Sequence, residues 1–170
     1  NSILMECISE LADPTMESAE IHSMSMEFLT YPWMENFFGP DIDKFRFSHM
    51  SDGILFIPYG VLVDHFQHYV YENPDVTATE RRAKWRELEK MYLPYKSYEG
   101  NDYLLSGGFW QKQGHIYEVP FYYIDYTLAQ VCAFQFYAKD LENHEEAWKD
   151  YVNLCKQGGS KSFLGLLEVA

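Results

Sequence analysis

Apolar residues recur at mixed spacings of three and four along most of the chain. Met16, Ala19, Met26, Phe28, Leu29 and Trp33 keep that rhythm and predict a helix over residues 15–38. Asp13 before Pro14 marks its start, and Gly39-Pro40 stops it. A second helical stretch is predicted over 41–51. A third runs over 53–71, where Ile54, Phe56, Ile57, Val61, Val63, Phe66 and Val70 are apolar almost all round, as in a helix sunk in a core. Glu72-Asn73-Pro74-Asp75 reads as a turn. Thr77 with Glu80 three residues on is a capping-box pattern, opening an amphipathic helix to about Tyr92. Its Arg81, Arg82, Lys84, Arg86, Glu87 and Glu89 read as a solvated face. Residues 94–108 read as a loop, followed by Gly114-His115, an apolar helix over 120–141, a polar one over 142–155 and a short helix from Ser162. No strand alternation, repeat or low-complexity tract interrupts this, so the expected fold is all-α, one unit over 1–170.

Composition supports a packed chain: 170 residues, 47% hydrophobic and 18% aromatic, with 7 prolines and 10 glycines. Thirteen basic against 26 acidic side chains leave a net charge of −13. That field repels phosphate backbones and anionic lipids, so no nucleic acid and no membrane partner is expected. Cys7, Cys132 and Cys155 lie far apart among apolar neighbours, which suits buried thiols in a reducing compartment and a cytoplasmic location. The abrupt start at Asn1-Ser2 and the end at Ala170 without a polar tail read as cuts within a larger protein.

Chemistry concentrates in two stretches. In the first, Glu20-Ile21-His22-Ser23-Met24-Ser25-Met26-Glu27, positions 20, 23, 24 and 27 share one helical face and set two carboxylates two turns apart. Spacing alone leaves Glu20 either a solvated carboxylate or a ligand, since a carboxylate turned inward is costly unless paired or metal-bound. In the second, residues 107–130, Tyr122 and Tyr126 stand four apart with His115 just ahead of them. Their rings are either a packed core face or three donors converging on a cleft wall.

The first stretch, continued by Phe28-Leu29 and Tyr31-Pro32-Trp33-Met34-Glu35, resembles the helix that supplies the third zinc ligand in zinc metallopeptidases of the oligoendopeptidase F type, within the thimet-oligopeptidase superfamily. The resemblance continues through Phe56-Ile57-Pro58-Tyr59-Gly60, Asp64-His65-Phe66-Gln67-His68, Tyr71-Glu72-Asn73-Pro74, the Gly-His and Tyr-rich segment, and Asp150-Tyr151-Val152-Asn153-Leu154-Cys155-Lys156. Several motifs in one order make it specific. It implies the carboxy-terminal part of the catalytic domain, a helical half-domain forming one wall of a deep peptidase cleft. It implies Zn2+ as cofactor with Glu20 as the metal ligand. His115, Tyr122 and Tyr126 would bind the substrate backbone and stabilise an oxyanion, Tyr126 foremost, with Tyr117 and Tyr123 as alternatives. His22 and Glu27 become either groups that orient the ligands or packing residues.

The implied activity is zinc-dependent hydrolysis of internal peptide bonds in oligopeptides. Such a site takes two imidazoles from an HExxH helix, and none of the six histidines here lies in that motif. The implied partners are therefore an oligopeptide substrate and the upstream HExxH-containing segment, and the chain alone is expected to be inactive. Gly107 and Gly108 are a possible hinge for a loop over the peptide. Two rivals stand beside this reading: a non-catalytic helical module that binds peptides or a partner, and a separate metal site built on Asp64, His65 and His68, whose histidines form an i, i+3 pair.

Overall fold

The computed structural model describes residues 13–170, so Cys7 lies outside the described residues. Among the described residues all regular structure is helical, as the hydrophobic pattern predicts. The principal helices are α1 (Met16–Leu29), α2 (Glu35–Phe38), α3 (Ile42–Glu72), α4 (Ala78–Tyr92), α5 (Asp102–Leu105), α6 (His115–Glu118), α7 (Tyr123–Glu142), α8 (His144–Gln157) and α9 (Phe163–Leu167). None of the described helices is long and apolar enough to cross a membrane.

Three boundaries differ from expectation. The stretch 15–38 is not one helix: α1 ends at Leu29, and Tyr31–Trp33 form a 3-10 turn with Pro32 near its start, where a proline cannot donate to the preceding turn. Conversely, the two helices expected over 41–71 are one 31-residue helix. Gly53 does not break it, and Pro58 is carried inside it at the loss of one backbone bond. The loop expected over 94–108 holds α5, capped by the Asn101 side chain accepting from the Leu104 amide, and runs into a 3-10 turn over Gly108–Lys112. The Thr77/Glu80 capping box forms as read, with both reciprocal bonds present.

The chain divides into two compact units. One comprises the described residues up to Gly53 together with Leu128–Ala170. In it α1 buries Ser18, Ile21, Ser25 and Phe28, spaced three and four apart, while Ser23 and Glu27 on the other side stay exposed. Ile21 and Leu29 pack with Ala129, Cys132 and Phe136 of α7, Ala147, Tyr151 and Leu154 of α8, and Leu166 of α9. Each large side chain sealed this way contributes about 1.5–3 kcal/mol relative to exposure. Cys132 is buried and Cys155 half-buried, both as free thiols, and burial pushes both thiols up.

The other unit is Ile54–Thr127. Leu62, Val63 and Phe66 of α3 meet Trp85 and Leu88 of α4, with Leu93 and Trp110 closing the cluster. Gly60 lets α3 approach Thr127 at the boundary of the unit, since a Cβ there would run into the Thr127 hydroxyl. The charged face expected on α4 is only partly solvated. Glu89 is fully buried, accepting from the Tyr98 hydroxyl at 2.5 Å and from Arg86 Nη1 at 3.0 Å, with Lys96 Nζ 3.8 Å away. Its partners supply what water would otherwise provide, so of the expected face only Glu87 is exposed and Glu89 departs from the amphipathic pattern most.

Candidate functional site

Glu20 lies in the second turn of α1, and its carboxylate accepts a hydrogen bond at Oε2 from Ser23 Oγ at 3.0 Å. The same hydroxyl also lies 3.1 Å from the Glu20 carbonyl. This is the shared helical face read from the spacing, with Ser23 restraining the carboxylate one turn on. Glu27, two turns from Glu20, is engaged elsewhere. Its Oε2 lies 2.8 Å from His49 Nε2, and His49 Nδ1 lies 2.6 Å from the Tyr31 hydroxyl. An ionised carboxylate only accepts, so His49 donates from Nε2, and when the ring is uncharged its Nδ1 accepts from the Tyr31 hydroxyl. Burial pushes the Tyr31 phenol up to about 12, so it keeps its proton. His22 points its ring edge-on to Tyr151, centroids 6.4 Å apart, and its carbonyl accepts from the Tyr151 hydroxyl at 3.0 Å. Burial lowers the pKa of His22.

The second unit assembles the other predicted residues. His115 opens the single-turn α6 rather than sitting in a loop, and Tyr122 precedes α7 rather than lying inside it. Pro120 and Phe121 form the turn between them, and Phe121 is held at φ 63°, a strained value for a bulky residue costing on the order of 1–3 kcal/mol. Its ring is fixed there by His68 (5.0 Å between centroids) and Tyr71 (4.9 Å). The outcome of that turn is one cluster. The His115 ring lies 6.3 Å from Tyr122, 5.1 Å from Tyr123 and 5.7 Å from Tyr126, and Tyr122 and Tyr126 are 4.8 Å apart. Burial, then the neighbouring Tyr126, push the Tyr123 phenol up to about 12, which keeps it a proton donor at neutral pH. Tyr117 instead stacks on Trp110 and is exposed.

Two expectations fail on packing. Gly107 (φ 91°) and Gly108 are buried: a Cβ on the first would meet the Arg82 carbonyl, and on the second the Tyr103 ring. They serve close packing, not a hinge. The histidine pair of α3 does not converge either, because His65 Nδ1 pairs with the Tyr92 hydroxyl at 3.0 Å while His68 Nε2 faces Asp64 at 3.5 Å and its ring lies on Phe121. Among the described residues, no three histidine, cysteine, aspartate or glutamate side chains are grouped to hold a metal. A metal at Glu20 therefore fits only as a shared ion. The chain provides a partly exposed carboxylate steadied by a hydroxyl, a donor that zinc accepts, and other ligands must come from outside the described residues.

Sequence reasoning missed the partners of these groups. His49 binds Glu27 from 22 residues away, and Gln113 and Tyr59 connect to His115: the Tyr59 hydroxyl donates to Gln113 Oε1 at 2.8 Å, and Gln113 Nε2 lies 2.7 Å from His115 Nδ1. Only Gln113, two residues before His115, carried a local signal.

Comparison with known proteins agrees with the family that the resemblance names. The model of peptidase family M3 matches residues 5–170. A solved structure of PZ peptidase A with an inhibitor is 59% identical, superposes with a TM-score of 0.95 and covers 97% of this chain and 29% of its own. A structure bearing the name oligoendopeptidase F is 61% identical, with a TM-score of 0.95 and the same two coverages. Another bearing that name, from Bacillus anthracis, is 55% identical with a TM-score of 0.80, covering 95% of this chain and 26% of its own. The chain thus spans less than a third of the length of these relatives. None of the curated proteins matches it.

Proposed function

Because this chain belongs to peptidase family M3, we propose that it contributes to a zinc metallopeptidase that hydrolyses internal bonds of oligopeptides. In this reading Glu20 is one metal ligand, and His115, Tyr122 and Tyr126 are donors to the peptide. The observation that supports it most is the cluster of one imidazole and three phenols brought together by the Phe121 turn, within a chain matched by the family over residues 5–170. Bound zinc would supply a Lewis acid and an activated water.

The chain's own residues do the rest of the work assigned here. Hydrolysis turns the scissile carbonyl oxygen into an oxyanion, and donors already fixed where that charge grows stabilise it without reorganising. Tyr126 is the foremost donor, with its ring set between Tyr122 at 4.8 Å and Tyr123 at 5.8 Å. Ser23 holds the Glu20 carboxylate in one orientation, which keeps a ligand from swinging away. The base and the two imidazole ligands belong to an HExxH segment in the longer protein, so the 170 residues alone should not turn over peptides.

The test is Glu20→Gln in the longer enzyme, with zinc content and cleavage of a quenched fluorescent peptide measured together. Zinc occupancy and turnover should both fall steeply while the helical circular-dichroism spectrum is kept. Full zinc and full turnover in the variant would overturn the ligand assignment.

A further inference from the structure

We infer that Tyr59 and Gln113 are positioning residues that hold His115 in the tautomer carrying its proton on Nε2. This rests on the proposed role of His115 as a substrate-facing donor and says how that role is set. Tyr59 sits on α3, its ring wedged edge-on against Trp85 (6.5 Å), Phe109 (6.3 Å) and Tyr123 (5.7 Å), with Lys96 Nζ 5.5 Å from its centroid. Its hydroxyl has one proton to give, and the acceptor is Gln113 Oε1 at 2.8 Å. Burial, then Tyr123 and Glu89, push this phenol well above its ordinary value, so the proton stays.

That bond orients the Gln113 amide, carbonyl toward Tyr59 and NH2 toward His115. An amide NH2 only donates, so at 2.7 Å it requires a lone pair on His115 Nδ1. When the ring is uncharged, its single proton must then be on Nε2. Turning the amide over would make Gln113 Nε2 donate to the Tyr59 oxygen and leave the phenol proton without its acceptor in a largely buried place. The observed orientation alone gives that phenol proton an acceptor while keeping the bond to His115.

The choice of tautomer decides what the ring offers a peptide. With Nδ1 engaged and Nε2 protonated, the nitrogen outside this network is a donor, suited to a carbonyl oxygen gaining negative charge. The other tautomer would present a lone pair to that oxygen and repel it. Contacts to Tyr123 at 5.1 Å and Tyr126 at 5.7 Å fix the ring plane, so Tyr59 and Gln113 act through His115 without touching substrate themselves.

The experiment uses the longer enzyme with 15N-labelled histidine, and long-range 1H–15N spectra at mildly alkaline pH read which ring nitrogen of His115 is protonated. The unsubstituted enzyme should show a protonated Nε2 and a bare Nδ1. Gln113→Glu, which replaces the donor by an acceptor, should move the proton to Nδ1 and lower kcat by roughly a hundredfold, the low end of what losing one oxyanion donor costs, with the unfolding midpoint nearly unchanged. A proton found on Nδ1 in the unsubstituted enzyme, or one that Gln113→Glu does not move, overturns the inference. If the proton moves but neither Gln113→Glu nor His115→Ala changes turnover, the network stands and the donor role of His115 falls.

Discussion

Each unit of the molecule holds a histidine in a hydrogen-bond chain with a tyrosine and a polar side chain, and the two are used differently. In the first unit His49 is closed on both nitrogens, Nε2 bonded to Glu27 and Nδ1 to the Tyr31 hydroxyl. Its ring is also enclosed by Phe28 at 4.8 Å and Phe45 at 5.6 Å. In the second, the Tyr59–Gln113 pair engages His115 only at Nδ1 and leaves Nε2 outside the network. A histidine whose two nitrogens are spent inside the fold is a brace. One spent on a single side has a donor to offer.

Exchanging the two roles is the strongest way to break that comparison. His115→Ala in the longer enzyme should lower kcat/KM about 100- to 1,000-fold, the loss that follows removal of one oxyanion donor, and leave the free energy of unfolding within about 1 kcal/mol. His49→Ala should do the reverse, costing about 2 kcal/mol for two hydrogen bonds and ring packing and leaving turnover close to that of the unsubstituted enzyme. Steady-state kinetics and urea unfolding on the same two variants read both quantities. Equal kinetic losses would mean that the brace is itself part of the site.

The sequence made the helices and the site stretches legible because both rest on local periodicity. The 3.6-residue rhythm of α1, the capping box of α4 and the 122/126 pair each involve residues within one or two turns. What it hid depends on distance or on backbone strain. Neither the 54-residue separation of Tyr59 from Gln113 nor the left-handed Phe121 that places Tyr122 beside His115 leaves a periodic trace. Gly107 and Gly108 read as freedom to move, since a glycine pair looks alike whether it frees a loop or admits a neighbour; the Arg82 carbonyl and the Tyr103 ring decide for packing. The role of Glu20 rests on the resemblance, because its spacing from Ser23 and Glu27 would be the same on a solvated helix.

The carboxylates sharpen the same contrast in stability. Glu89 is sealed among Arg86, Tyr98 and Lys96, and the Lys96 ammonium lies 3.6 Å from the Phe109 centroid. Burial lowers the pKa of Lys96 while Glu89 raises it, so removing Glu89 leaves a half-buried cation without its counter-charge. Glu89→Ala should therefore cost about 3 kcal/mol. Glu27, whose side chain is 58% exposed, should cost no more than about 1 kcal/mol on truncation, because water takes over most of its bond to His49. Paired urea unfolding of Glu89→Ala and Glu27→Ala checks the difference, and near-equal losses would mean that the second unit is not organised around a buried charge.

The smallest effect separates the units by alkaline pH. Tyr31 in the first unit and Tyr123 in the second are both pushed from 10.0 to about 12, chiefly by burial. Unfolded, each phenol ionises near 10, so the unfolded chain loses protons first as pH rises. The stability these groups contribute is whole below pH 10 and is lost between there and about 12. Tyr123→Phe should flatten part of that fall and leave stability at neutral pH almost unchanged, since the ring keeps its contacts with Tyr59 and His115. Tyr31→Phe should flatten a similar part but also cost about 1 kcal/mol at neutral pH, because its hydroxyl is bonded to His49. Urea midpoints followed from pH 8 to 12 would show both. A neutral-pH loss for Tyr123→Phe matching that of Tyr31→Phe would mean that the Tyr123 hydroxyl, too, is spent inside the fold, and the second unit would then be as closed as the first.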